Sequence, residues 1–73
     1  MAEILAPMAG KIIEIKVNVG DQVQEDDEVA IIEAMKIMNE VTAKVPAIVE
    51  AVLVNNGDPV EYGQPLFAVR PLA

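Results

Sequence analysis

Two short segments carry side chains that could do chemistry. The first, EAMKIMNE (Glu33 to Glu40), holds Lys36 between Met35 and Ile37 in an otherwise acidic chain. Most surface lysines are solvated charges in a strand or turn. An amine flanked by apolar side chains can also be a functional group, because thioethers form adaptable contact surfaces for a partner. Lys36 is therefore the first candidate for a functional residue.

The second segment, QEDDE (Gln24 to Glu28), holds four consecutive acidic residues that could bind a hard cation such as calcium. Its spacing does not fit an EF-hand loop. A later segment that matches it in an internal repeat, EYGQP, is not acidic. We therefore predict a solvated turn here and no metal site.

Composition narrows the possible functions. The chain has no cysteine and no histidine, so it lacks disulfides, thiolate zinc ligands and the commonest general base. We therefore predict a protein that is not an enzyme by itself. Twelve acidic and five basic residues give a net charge of -7, which repels the phosphate backbone of nucleic acids. We expect no nucleic-acid partner.

Targeting and membrane signals are weak in this chain. The start, MAEILAPMAG, has no basic region, and no apolar run approaches the roughly 20 residues that span a bilayer. These features predict an intracellular, cytoplasmic protein with no membrane partner. A length of 73 residues predicts one domain, residues 1–73, and 53% hydrophobic residues with 3% aromatics predict an aliphatic core.

An internal repeat organises the sequence. VNVGDQV (Val17 to Val23) matches VNNGDPV (Val54 to Val60) at five of seven positions and at an offset of 37 residues. At the same offset Ile12 matches Val49 and Val29 matches Leu66. The chain therefore consists of two related halves.

The repeated segments have the pattern of short strands and turns. In the first half, isoleucine and valine alternate with polar residues from Ile13 to Val19, which predicts one buried face and one solvent face. Gly20 and Gly57 can adopt the positive φ of tight turns. The period, the β-branched residues and the recurring Gly and Pro disfavour helix. The predicted core residues are Ile13, Ile15, Val17, Val29, Ile31, Val52, Val54 and Leu66.

Two such halves can bury their apolar faces only against each other. We therefore predict an all-β fold, a flattened barrel or sandwich in which a pseudo-twofold relates the halves. Both termini should lie on one side, and the link between the halves, Glu33 to Thr42, at the opposite end.

EAMKIMNE resembles the attachment hairpin of biotinyl domains, whose signature is Ala-Met-Lys followed by Met or another apolar residue. APMAGKI, VGDQV and NGDPVEYGQPLF are similar to the same family, so the resemblance covers nearly the whole chain. It implies a barrel-sandwich hybrid with Lys36 at a hairpin tip and biotin linked covalently to its amine. Met35 and Lys36 would be the central turn residues, and a type I′ turn there would be strained because neither is Gly or Asn.

The resemblance also implies partners. A biotin protein ligase would attach biotin, and a biotin carboxylase and a carboxyltransferase would then use it, so that the chain would be a biotin carboxyl carrier. Met35 is the favoured ligase contact among the neighbours of Lys36, while Glu33 could equally be a solubilising charge. The full set of predicted ligase-recognition residues is Glu33, Ala34, Met35, Ile37 and Met38.

Two alternatives remain at this point. The first is a lipoyl carrier on the same fold, although lipoyl hairpins typically have Asp-Lys-Ala where this chain has Met35 and Ile37. The second is an unmodified adaptor barrel that docks through the hairpin. Two features also depart from the family. Ala47, the counterpart of Gly10 at the 37-residue offset, stands where the family is expected to have a second Gly. In addition, the first half has no protruding insertion, or thumb, which carriers of bacterial acetyl-CoA carboxylase often have. The parent enzyme is therefore left open.

Overall fold

The structure is a computed structural model that describes residues 2–72. This part of the chain forms eight β-strands and contains no helix, which confirms the predicted all-β class. The strands are β1 (Ala2–Leu5), β2 (Gly10–Ile15), β3 (Gln22–Val23), β4 (Glu28–Ala34), β5 (Ile37–Thr42), β6 (Ala47–Val52), β7 (Pro59–Val60) and β8 (Pro65–Pro71). Accordingly, no helix of the described chain could cross a membrane.

The strands form two antiparallel sheets of four. Their orders are β1-β8-β6-β3 and β5-β4-β2-β7. No strand pairing joins the two sheets within residues 2–72, so the molecule is a flattened sandwich and not a closed barrel. It measures 35 × 19 × 18 Å.

The predicted pseudo-twofold is visible in the hydrogen bonds. The Gly20 N–H donates to the Val49 carbonyl at 2.8 Å, and the Gly57 N–H donates to the Ile12 carbonyl at 2.6 Å. The two bonds exchange with each other when 37 is added to or subtracted from each residue number. Strands β2, β3 and β4 become β6, β7 and β8 by the same offset. The repeat in the sequence is therefore a repeat of the fold.

The Gly-Asp turns repeat in the same way. Gly20 and Gly57 have φ angles of 95° and 91°, in the left-handed region that favours glycine. The Asp21 carboxylate accepts a hydrogen bond from the Asn18 N–H, and the Asp58 carboxylate accepts one from the Asn55 N–H, both at 2.8 Å. The positive φ predicted for the two glycines is thus confirmed in both halves, and each aspartate bonds to backbone three residues upstream.

The core is aliphatic apart from one aromatic residue, Phe67, and contains matched pairs from the two halves. Ile12 and Val49 are 0% and 1% exposed, and Val29 and Leu66 are both fully buried. Four predicted core residues are confirmed as buried: Val17, Val29, Val54 and Leu66. Ile15 and Val52 are partly buried and pack against the core.

The prediction of one continuous alternating strand was wrong for part of the first half. Ile13 and Val19 are 37% and 63% exposed, whereas Ile12 is buried. The register between β2 and β4 shifts between Ile12 and Glu14, so Ile13 is the extra residue of a β-bulge, which changes the faces on which the following side chains lie. In β4, Ile31 is likewise only partly buried, and its neighbour Ile32 is in the core.

The acidic segment lies in the turn between β3 and β4. The Asp27 carboxylate accepts a hydrogen bond from the Gln24 N–H at 2.8 Å, and Asp26 has a φ of 72°. Gly63, the matching residue of the second half, has a φ of 81°. No cluster of three or more potential metal ligands occurs in the described chain.

Candidate functional site

The hairpin between β4 and β5 turns at Met35 and Lys36. Ala34 and Ile37 are the last paired residues, so the connection has two residues. The φ angles of Met35 and Lys36 are 53° and 64°, both in the left-handed region. This is the geometry that a type I′ turn requires, and it confirms the expected backbone strain, about 1–2 kcal/mol for each non-glycine residue.

Apolar side chains surround Lys36 and face solvent. Met35 is 94% exposed, Ile37 is 62% exposed and Met38 is 58% exposed. Lys36 is also exposed, while Glu33 and Ala34 are half-buried in the stem. All three apolar neighbours of Lys36 are therefore exposed. Together Met35, Ile37 and Met38 form what we call the tip patch.

The base of the hairpin is rigidly held. Strand β4 lies inside its sheet, between β5 and β2, and Ile32 is fully buried under the stem. Gly10, at the start of β2, packs so closely that a β-carbon there would overlap the Glu33 carbonyl and lie 2.6 Å from Ile32 Cγ2. Glycine at position 10 is therefore needed for this close approach.

Asn39 is a residue of the site that the sequence analysis missed. It lies on β5, opposite Ile32, and its side-chain Nδ2 donates to the Ile37 carbonyl at 3.0 Å. The same nitrogen is 3.5 Å from the Ile32 carbonyl. The repeat could have revealed it. The residue that matches Asn39 at the 37-residue offset is Ala2, so a polar side chain stands beside the lysine hairpin where the equivalent position has an apolar one.

Charged groups pair elsewhere on the surface. Lys16 Nζ lies 2.9 Å from Glu28 Oε1, and Arg70 Nε lies 3.4 Å from Glu50 Oε2. The Lys16 ammonium hydrogen-bonds to Glu28 and holds the pKa of that carboxyl below its ordinary value, and the same bond raises the pKa of Lys16. Neither ion pair of the described chain includes Lys36.

This arrangement can present an amine but provides little chemistry around it. The described residues place no histidine, cysteine or buried acid beside Lys36 to act as a general base. A primary amine on a protruding turn can enter the active site of another protein. The fold and site together define a small carrier-type domain, a rigid β-sandwich that displays one lysine at the tip of a hairpin.

Sequence comparison gives the family. The model of the biotin/lipoyl family, described as "Biotin-requiring enzyme", matches residues 2–69. The chain belongs to this family. It is also 44% identical over 78 residues to the biotin carboxyl carrier protein of acetyl-CoA carboxylase from Nostoc sp., a match that covers 97% of this chain and 43% of that protein. The chain spans about a third to less than half of the length of such curated relatives.

Solved structures of carboxylases contain the same fold. A single-chain, multi-domain long-chain acyl-CoA carboxylase superposes with a TM-score of 0.91 and 26% identity, over 96% of this chain and 7% of that one. The urea carboxylase of Kluyveromyces lactis superposes with a TM-score of 0.85 and 35% identity, over 94% of this chain and 6% of that one. In both cases the similar region is one small part of a large enzyme.

Proposed function

We propose that this chain is a biotin carboxyl carrier and that Lys36 Nζ is its attachment point. The observation that carries the proposal is the two-residue turn, which places Lys36 and Met35 beyond the last strand pair with left-handed backbones. The family match and the relatives named biotin carboxyl carrier proteins support biotin as the attached group.

The exposed amine suits the attachment chemistry. A ligase activates the carboxyl group of biotin with ATP, and the deprotonated Lys36 amine attacks the activated carbonyl. The C–N bond of an amide forms, the activating group leaves with the electron pair of the broken C–O bond, and the nitrogen gives up a proton. The formal net charge of the chain changes from -7 to -8 because a neutral amide replaces an ammonium.

The tip patch and the stem are the proposed recognition surface for biotin protein ligase. Met35 offers the most exposed apolar side chain, and Ile37 and Met38, as neighbours in β5, add apolar side chains on opposite faces of the hairpin. Ala34 leaves room beside the turn because its side chain is small, and Glu33 adds a charge at the edge. A cluster of exposed apolar side chains around one functional group is typical of a surface that another protein contacts.

The chain's own residues then act as a scaffold. Bound biotin supplies the carboxyl-carrying chemistry through its ureido ring, and the rigid sandwich presents it to a biotin carboxylase and a carboxyltransferase. Tethering replaces a free search in solution with a high local concentration, up to about millimolar for short flexible links. The chain itself is not an enzyme under this proposal, since no residue needs to act as acid or base.

The parent enzyme is a biotin-dependent carboxylase or decarboxylase. Relatives that serve acetyl-CoA carboxylase support a carrier of that type. Residues 6–9 link β1 to β2, residues 16–21 link β2 to β3 and residues 24–27 link β3 to β4. Every connection of the first half is therefore short, in agreement with the absence of a thumb expected from the sequence.

Intact mass spectrometry of the protein purified from its native host, followed by peptide mapping to locate the added group, tests the proposal. One added biotinyl group on Lys36 is the expected result. A lipoyl group at the same residue would identify a lipoyl carrier instead, and an unmodified chain from biotin-replete cells would indicate an adaptor. Either of the last two results contradicts the proposed function.

A further inference from the structure

The side-chain amide of Asn39 contacts the backbone of both arms of the hairpin. Its Nδ2 donates to the carbonyl of Ile37, the first residue after the turn, at 3.0 Å. The same amide reaches toward the carbonyl of Ile32 on the opposite arm, at 3.5 Å. Asn39 is half-buried; its contact with Ile32 is partly buried, whereas its bond to Ile37 lies at the surface. The amide thus contacts both arms of the hairpin directly below the residues that present Lys36.

The pseudo-twofold shows that the fold does not require this amide. Asn39 pairs with Ile32 in β5–β4, and the corresponding pair in the other sheet is Ala2 with Val69 in β1–β8. The methyl group of Ala2 cannot donate a hydrogen bond. The amide therefore occurs only in the sheet where a two-residue turn joins the two strands and carries the lysine.

The turn needs support because its residues do not favour its shape. Met35 and Lys36 are both in left-handed backbone conformations, which most side chains disfavour. Ile37 immediately follows them, and the Asn39 amide that donates to its carbonyl limits how far the start of β5 can rotate. The side-chain hydrogen bonds of Asn39 in residues 2–72 go to backbone carbonyls and not to Lys36, so an effect of these bonds on the lysine acts through the backbone.

We propose that Asn39 is a positioning residue, whose amide bond to the Ile37 carbonyl holds the Met35–Lys36 turn in one orientation for acylation. The role in acylation rests on the proposed function of Lys36, whereas the bond itself does not. The alternative is that Asn39 only contributes to overall stability, like any residue of the sandwich.

Two variants remove the bond in different ways. Asn39→Ala introduces the residue type found at the equivalent position of the other sheet, Ala2, so the variant should still fold. Asn39→Asp keeps the shape of the side chain but replaces the donating amide with a carboxylate that cannot donate when ionised. Val23→Ala is the matched control, because Val23 is buried in the other sheet and its loss lowers stability without touching the hairpin.

The full chain and its variants are compared by amide hydrogen exchange and by the rate of labelling with biotin, ATP and a biotin protein ligase. Both Asn39 variants should speed exchange at Ala34 and Ile37 relative to β8. They should also lower kcat/KM for labelling about 3- to 10-fold, the factor that corresponds to one lost hydrogen bond. Val23→Ala should be labelled at the wild-type rate.

Unchanged hairpin exchange and labelling in both Asn39 variants would overturn the proposal. An equal loss of labelling in Val23→Ala would also overturn it, because the effect would then follow stability. Wild-type protein that accepts no biotin would instead refute the proposed function. The exchange experiment would still decide whether Asn39 holds the turn.

Discussion

Gly10 and Glu33 approach so closely that a β-carbon on Gly10 would overlap the Glu33 carbonyl. The contact fixes the first residue of β2 against the stem of the lysine hairpin. Gly10→Ala should therefore force the two strands apart and lower the free energy of unfolding by about 1–3 kcal/mol, the usual cost of overpacking. Urea denaturation followed by circular dichroism measures this change. Wild-type stability in Gly10→Ala would show that the strands are not in close contact.

The β-bulge at Ile13 gives opposite roles to two adjacent isoleucines. Ile12 is fully buried, so Ile12→Ala should cost about 2–5 kcal/mol. Ile13 is 37% exposed, and Ile13→Ala should cost less than about 1 kcal/mol. Thermal denaturation of the two variants side by side gives the comparison. A larger loss in Ile13→Ala than in Ile12→Ala would mean that the bulge is misplaced.

The strain at the hairpin tip should separate stability from recognition. Asparagine tolerates the left-handed region better than methionine, so Met35→Asn should raise the free energy of unfolding by about 0.5–1 kcal/mol. The same change removes the most exposed side chain of the tip patch and should slow biotin labelling. Ile37→Asn is the control, because Ile37 lies in a strand and gains nothing from asparagine. Met35→Asn that is less stable than wild type, or labelled faster, would contradict this account of the strain.

The Lys16–Glu28 pair should make a small contribution to stability that depends on pH. The hydrogen bond that Lys16 donates to Glu28 lowers the pKa of the Glu28 carboxyl in the folded chain. The contribution is therefore present above the ordinary pKa of a glutamate and is lost as the pH falls through the lower, folded value. Glu28→Gln should be less stable than wild type near pH 7, and the difference should shrink at acid pH. A difference that grows on acidification would contradict this sign. Melting temperatures of both proteins across the acid range make the comparison.

Much of the fold was predictable because the sequence contains it twice. The matched Gly-Asp turns and the shared apolar pattern predicted two halves, short strands and no helix, all of which the structure confirms. Ile13 was wrongly predicted to be buried because that prediction followed the local alternation of apolar and polar residues and not the repeat. Its partner at the 37-residue offset is Glu50, a charged residue that argues against a core position.

The candidate site was predictable only in part. The resemblance predicted the turn at Met35 and Lys36, although neither residue favours the left-handed backbone found there. The role of Gly10 depends on a close contact with Glu33, more than twenty residues away, and no local pattern shows it. Asn39 was missed because no local pattern shows that an asparagine side chain bonds to the backbone two residues earlier; only its apolar counterpart Ala2 at the 37-residue offset marked it as unusual.

The most direct test of the account is the site of biotin attachment. The four lysines provide their own controls: Lys11 lies in β2, Lys16 follows it, Lys44 follows β5, and only Lys36 lies in the hairpin turn. The wild-type chain is incubated with biotin, ATP and a biotin protein ligase beside Lys36→Arg, which keeps the charge but cannot accept the acyl group.

Peptide mapping by mass spectrometry should find one biotin per chain, on Lys36, and none on the arginine variant. Biotin on Lys11, Lys16 or Lys44, or continued labelling of Lys36→Arg, would contradict the assignment of Lys36 as the attachment residue.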